Sequence, residues 1–139
     1  MIDRVFIDTN VLVYVYNSDE ANKQEIINRF IDNELIDCTI YISTQVMNEF
    51  YNTLSKKKFP HSIIKRYFNE IIYSFNILIP NIQISIKAID LKEKYHYSWW
   101  DSLIIAAALE NECSILYTED LQHNQLIENR MLIKNPFFL

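Results

Sequence analysis

Four acidic side chains, Asp8, Glu49, Asp101 and Asp120, occupy the places in this sequence best suited to metal chemistry. Asp8 directly follows a short β-branched run, Arg4 to Ile7. Asp120 stands two residues beyond Thr118, which follows a similar run, Ser114 to Tyr117. Glu49 falls in the second turn of a helix begun by Ser43 or Thr44, and Asp101 in the first turn of one begun by Ser98. Carboxylates gathered in one place repel one another unless a cation or protons neutralise them. A set of hard oxygen donors without His or Cys favours Mg²⁺ or Mn²⁺ over zinc. Such an ion acidifies water and offsets charge on a phosphate.

Each acid also has a plainer reading. Asp8 suits a turn or a helix N-cap. Asp101 completes a capping box with Ser98. Glu49 sits at the margin of an apolar helix face, and Glu119-Asp120 reads as a polar loop. Their convergence separates the two readings, and it depends on the elements that carry them.

Arg4–Ile7, Thr39–Ile42, Asn76–Ile79, Ser114–Tyr117 and Met131–Ile133 read as strands, short and rich in apolar or β-branched residues. Between them lie helical patterns. Asn22–Leu35 carries Ile26, Ile27, Phe30, Ile31 and Leu35 at helical spacing, and the next helix carries Val46, Met47, Phe50 and Leu54. Pro60 opens a third, Ile84–Tyr95 is amphipathic, and Ser98–Asn111 is apolar nearly all round and therefore buried. Asp8, Thr9 and Asn10 terminate the first strand. The alternation predicts a three-layer α/β/α sandwich around a central parallel sheet of four to five strands. In such a sheet, ligands bind beyond the carboxyl ends of the strands. A helix that follows a strand starts at that same edge, so all four acids project there.

With 139 residues, half of them hydrophobic, the chain reads as a single domain, 1–139, with no linker or repeat. It contains no glycine, which excludes Gly-rich phosphate loops and leaves Asn as the next-best residue for left-handed turns. Cys38 and Cys113 read as reduced core residues. Asp3 and Arg4 interrupt the start and no apolar signal segment follows, while the run Leu103–Leu109 is too short to span a membrane; the expected location is cytoplasmic. The net charge of −5 is unusual for a protein that binds nucleic acid through phosphates alone. A cation held by the acids would resolve this, turning an acidic pocket into a phosphate-attracting one.

At the level of motifs, Val5-Phe6-Ile7-Asp8-Thr9-Asn10-Val11-Leu12 resembles the opening of a PIN domain, Trp100–Leu109 its third motif and Leu116–Leu121 its fourth. Asn135-Pro136-Phe137 is similar to the ending of many VapC-type toxins, the nuclease halves of toxin–antitoxin pairs. The resemblance implies Mg²⁺-dependent endoribonuclease activity, with Asp8, Asp101 and Asp120 holding metal and Glu49 acting directly or through water. Asn10 and Thr118 would orient these ligands. In-line attack on phosphorus would leave a 5′-phosphate and a 3′-hydroxyl. The implied partners are an RNA substrate, a cognate antitoxin and a second copy of the chain, with Trp99, Trp100 and an exposed Phe137-Phe138 end as interface candidates. The chain departs from the family pattern where glycine is common, having Glu112-Cys113 before the fourth strand and His123 after Gln122.

Lys56, Lys57 and Lys58 form a basic run at a helix end, followed by Lys65 and Arg66, and are candidate RNA contacts. They equally suit solvated residues complementing a helix dipole. A receiver-like module needs an acidic pair after the first strand and an Asp after the third, where this chain has Thr9-Asn10 and Pro80-Asn81. A haloacid-dehalogenase-like phosphatase needs a second Asp where Asn10 stands. A degenerate, non-enzymatic PIN-like module would have lost an acid, and none is lost. A housekeeping PIN nuclease remains the enzymatic alternative.

Overall fold

The run Val5-Phe6-Ile7 is buried throughout, and it forms most of β1 (Arg4–Ile7), one of the two central strands of the sheet. Successive residues of a strand face opposite sides, so burial of all three requires cover on both faces. A computed structural model of the protein, describing residues 2–139, supplies that cover with six helices. They are α1 (Thr9–Tyr16), α2 (Ala21–Asn33), α3 (Thr44–Lys56), α4 (His61–Ser74), α5 (Ile82–Tyr95) and α6 (Trp99–Glu110). The other strands are β2 (Thr39–Ser43), β3 (Asn76–Leu78), β4 (Ile115–Tyr117), β5 (Leu126–Ile127) and β6 (Met131–Lys134).

The sheet runs β3-β2-β1-β4-β6-β5 and is parallel except for the β5–β6 pair. The fold class is therefore the one expected from the alternating pattern, with a sixth, antiparallel edge strand added. That strand has two residues, and its turn to β6 uses Glu128 and Asn129 at φ 52° and 54°. Paired left-handed residues are the signature of a type I′ turn, which sequences usually announce with Asn-Gly or Asp-Gly. Without glycine the hairpin carries no such signal.

Helix α1 is the other addition. Its sequence, Thr-Asn-Val-Leu-Val-Tyr-Val-Tyr, is rich in β-branched and aromatic residues that favour strands. Tertiary packing overrides that preference, because α1 lies against α2 and α3 and buries Val11, Leu12 and Val13. Asp8 directly follows β1 and is a helix N-cap, the plainer role its sequence position suggested, accepting a hydrogen bond from the Thr9 amide. In α6, every residue from Ile104 to Leu109 is buried, as its all-round apolarity requires.

Among the described residues six take left-handed φ: Lys58, His96, Glu112, Asn124, Glu128 and Asn129. Only two of them are Asn, so the expectation that asparagine would fill the glycine roles holds for a minority. At Glu112 (φ 58°) the amide bonds to the Leu109 carbonyl while the Cys113 amide bonds to Ala108, a Schellman ending of α6. Glutamate occupies the position where that motif prefers glycine. Cys113 is buried, Cys38 is half-buried and both are free thiols. Among the described residues no helix is long and apolar enough to cross a membrane.

Candidate active site

The chain leaves β1 for β2 and β3 on one side of the sheet and then crosses to β4 on the other side. The crevice at the carboxyl ends of β1 and β4 is therefore the topological switch point, where open α/β sheets bind ligands. Ile7 pairs with Tyr117, and the Asp8 amide bonds to the Tyr117 carbonyl at 3.0 Å. This register sets Asp8 beside Thr118.

Asp8 is buried, with 4% of its surface exposed. One carboxylate oxygen accepts from the Thr9 amide at 2.7 Å, and the other from the Thr118 hydroxyl at 2.8 Å. Burial pushes its carboxyl up to about 7; hydrogen bonds from Thr118 and Thr9 oppose the rise, and the charges of Asp101 and Glu49 add to it. Asp101 is also raised, first by burial and then by Asp120 and Glu49, against the hydrogen bond from Ser98. Glu49 and Asp101 thus bear on Asp8, and Glu49 and Asp120 on Asp101.

Asn10 ties the Asp8 and Asp120 sides together. Its Nδ2 donates to Thr118 Oγ1 at 3.1 Å and to an Asp120 carboxylate oxygen at 3.0 Å, with a longer 3.4 Å approach to Asp8. Its Oδ1 accepts from the Glu119 amide at 3.1 Å. Thr118 Oγ1 also accepts from the Asp120 amide, so one hydroxyl orients both aspartates. Asp120 itself is exposed. Glu49 accepts from the Thr9 hydroxyl at 2.6 Å and from Gln45 Nε2 at 3.2 Å. Gln45 also donates to the Trp100 carbonyl, joining α3 to the start of α6 beside Asp101. At that start the Ser98 hydroxyl accepts from the Asp101 amide at 3.1 Å, so the capping role of this pair is real and leaves the Asp101 carboxylate facing the site.

All four acids line one cavity of about 440 Å³, together with Thr9, Asn10, Tyr14, Asn17 and, farther out, Lys57. The donor set is all oxygen, and the buried Asp8 lacks any cationic side chain among the groups acting on it, which fits a hard divalent ion. As the side chains stand, no three His, Cys, Asp or Glu residues among those described converge on a single ion position. Glu49 and Asp120 are drawn instead to Thr9, Gln45 and Asn10.

Of the lysine run, Lys57 lines the cavity while Lys56 and Lys58 do not. Trp99 is half-buried and Trp100 is 61% exposed. Phe137 packs edge-on against Tyr14, so only Phe138 of the aromatic end is exposed. Three participants escaped the sequence reading. Thr9 and Gln45 hold Glu49, and the second was detectable, since it sits one helical turn before Glu49. Glu119 accepts from Tyr14 at 2.5 Å and pairs with Lys23 at 2.8 Å, pinning α1 and α2 to the loop that carries Asp120. Burial pushes Glu119 up, but those two hydrogen bonds outweigh it and hold its carboxyl below the usual range. No local signal marks that contact, because its partners are about a hundred residues apart.

The PIN domain family model matches residues 5–128. No curated protein matches the chain. Among solved structures, VapBC-1 from nontypeable Haemophilus influenzae is 19% identical, with 96% of this chain and 98% of that one covered at a TM-score of 0.71. A toxin–antitoxin complex from Klebsiella pneumoniae is 18% identical, covering 95% and 97% at 0.69. VapC20 of Mycobacterium tuberculosis, a sarcin–ricin loop-cleaving toxin, is 13% identical, covering 84% and 91% at 0.69. At these identities the similarity is one of fold.

Proposed function

This chain belongs to the PIN-domain family, and on that premise we propose that it is a divalent-metal-dependent endoribonuclease, the toxin of a type II toxin–antitoxin pair. The observation that carries the reading is the gathering of Asp8, Glu49, Asp101 and Asp120 around one cavity at the switch point of the sheet. Support for the toxin reading comes from solved relatives of the same fold that are themselves toxins or toxin–antitoxin complexes.

Asp8, Asp101 and Asp120 would hold Mg²⁺ or Mn²⁺, with Glu49 as a further ligand or a group acting through water. When bound, the ion supplies Lewis-acid stabilisation of charge developing on the phosphate. The protein supplies position. Thr118 and Asn10 fix the orientation of Asp8 and Asp120. Thr9 and Gln45 hold Glu49, through a hydroxyl and an amide donor that a bound ion would displace. Buried Asp8, with its carboxyl raised to about 7, gains most from a nearby positive charge.

A ribonuclease that uses the 2′-oxygen needs a general base and acid, usually two histidines near the scissile phosphate. His61, His96 and His123 do not line the cavity, and the Nδ1 of His123 accepts from the Asn135 amide. The test is incubation of the purified protein with single-stranded RNA, with Mg²⁺ and with EDTA, followed by end-group analysis. Cleavage only with the metal and 5′-phosphate ends are expected. Cyclic 2′,3′-phosphates formed in EDTA would overturn the mechanism and the roles given to the four acids.

The same reading gives the chain a cognate antitoxin, a second copy as partner and a cytoplasmic site of action. Exposed apolar surface supports partner binding: Ile82, Ile86 and Ile89 stand one turn apart along α5, and Trp100 and Phe138 are exposed elsewhere.

A further inference from the structure

The cavity extends beyond the acids, and that extension has a chemistry of its own. Its outer wall is built from Asn17, at the end of α1, and from Asn52, Thr53 and Lys57 on α3. Asn52 and Thr53 follow Glu49 by three and four positions and Lys57 by eight, so one face of α3 runs from the acids to a cation. Spacing alone would choose Lys56, seven positions from Glu49. The helix ends at Lys56, and Lys57, as its cap, is the lysine that reaches the cavity. Asn17 is 2% exposed. Its Oδ1 accepts from the Asp19 amide at 3.2 Å, which leaves Nδ2 as the end of the side chain able to donate at the cavity wall. An amide donor that borders a cavity can serve an acceptor on a ligand seated there. Glu20 also borders this wall, and Lys23, 3.9 Å away, offsets its charge.

We propose that this outer wall is a binding subsite for the nucleotide adjoining the scissile phosphate, with Lys57 taking the flanking phosphate and Asn17 Nδ2 donating to an oxygen or nitrogen acceptor of the same nucleotide. The inference rests on the nuclease reading and says where the RNA lies. A cavity of about 440 Å³ admits a nucleotide unit. A single strand can bend its backbone and splay a base into such a recess. Lys57 and Asn17 bind substrate and take no part in the bond-breaking step. Their loss raises KM and leaves kcat nearly unchanged.

The test uses a labelled single-stranded RNA oligonucleotide and fluorescence polarisation, in the Asp8→Asn background with Mg²⁺, where binding is read without cleavage. Lys57→Ala is expected to weaken binding roughly 3- to 10-fold at low salt and to lower the slope of log K against log salt by about 0.7, the signature of one lost phosphate contact on a single strand. Lys56→Ala and Lys58→Ala should stay within about twofold with unchanged slope. Asn17→Ser and Asn17→Asp both keep an acceptor for the Asp19 amide and remove the donor. Asn17→Ser should weaken binding without altering the slope, and Asn17→Asp should weaken it further. Equal effects of the three lysines, with no change of slope at Lys57, overturn the subsite while RNA that is still bound and cut leaves the nuclease reading standing. Failure of a folded, otherwise unmodified protein to bind or cut RNA overturns both.

Discussion

Replacing Asp8 by Asn should make the metal-free protein more stable at neutral and alkaline pH while abolishing RNA cleavage. Asp8 is buried with its carboxyl raised from 3.8 to about 7. In the unfolded chain it ionises near 3.8, so between about pH 4 and 7 the folded state holds one proton more than the unfolded state. Stability then falls as pH rises, by about 1.4 kcal/mol for each pH unit, or about 4 kcal/mol by pH 8. Asparagine removes this loss. It keeps the acceptor for the Thr9 amide but places an NH₂ against Thr118 Oγ1, which already accepts from Asn10 and from the Asp120 amide. One hydrogen bond is lost, at a cost of about 1–2 kcal/mol. The net expectation is stabilisation by about 2 kcal/mol at pH 8, read as roughly 5–10 °C in Tm. Near pH 4.5 the difference should vanish or reverse, since wild-type Asp8 is then protonated. Urea denaturation of both proteins in EDTA across pH 4.5–8 provides the assay. Glu119 and Glu128, whose carboxyls lie below their usual values, make the opposite contribution in both proteins and cancel in the comparison. Parallel curves for the two proteins, or a less stable variant at pH 8, would refute the assignment of a buried, uncompensated charge to Asp8.

Three further outcomes follow from the same structure. Mg²⁺ or Mn²⁺ should raise the Tm of the wild type, by about 2.7 kcal/mol of stability at a hundredfold excess over Kd, and Asp101→Ala should abolish the rise; an equal shift in the variant, measured by calorimetry, would place the ion elsewhere. The Ser102 hydroxyl is buried and has no hydrogen-bond partner among the described residues, so Ser102→Ala should stabilise by about 1 kcal/mol, and destabilisation on chemical denaturation would count against an unpaired hydroxyl. Glu112 takes φ 58° at the end of α6, a conformation that costs a non-glycine residue about 1–2 kcal/mol; allowing for the greater chain entropy of glycine, Glu112→Gly should stabilise by about 0.5–1 kcal/mol, and a lower denaturation midpoint would count against it.

Much of this protein was legible in one dimension. The strands around Phe6, Ile42, Leu116 and Ile133 are short apolar runs whose burial follows from composition; α3 declares itself through periodicity and its Ser43 cap, and α6 through a long all-round apolar run and its Ser98 cap. Given parallel strands, the ends of β1 and β4 must lie at one edge, so the meeting of Asp8, Asp101 and Asp120 with Glu49 is a consequence of alternation alone. What resisted reading depends on groups distant in the chain. Helix α1 contradicts its own local preference, because the gain from burying Val11, Leu12 and Val13 against α2 and α3 exceeds the few tenths of a kcal/mol per residue that propensity can oppose. The partners of the site acids, Thr9 to Glu49, Asn10 to Asp120 and Lys23 to Glu119, lie 40 to 110 positions apart. Only the folded chain selects Lys57 from three adjacent lysines, since helical phase runs out at Lys56 and the cap geometry beyond it sets the direction. Charge and burial at Asp8 were likewise decided in three dimensions, where the pairing of Ile7 with Tyr117 carries a carboxylate into the interior beside the single hydroxyl that orients it.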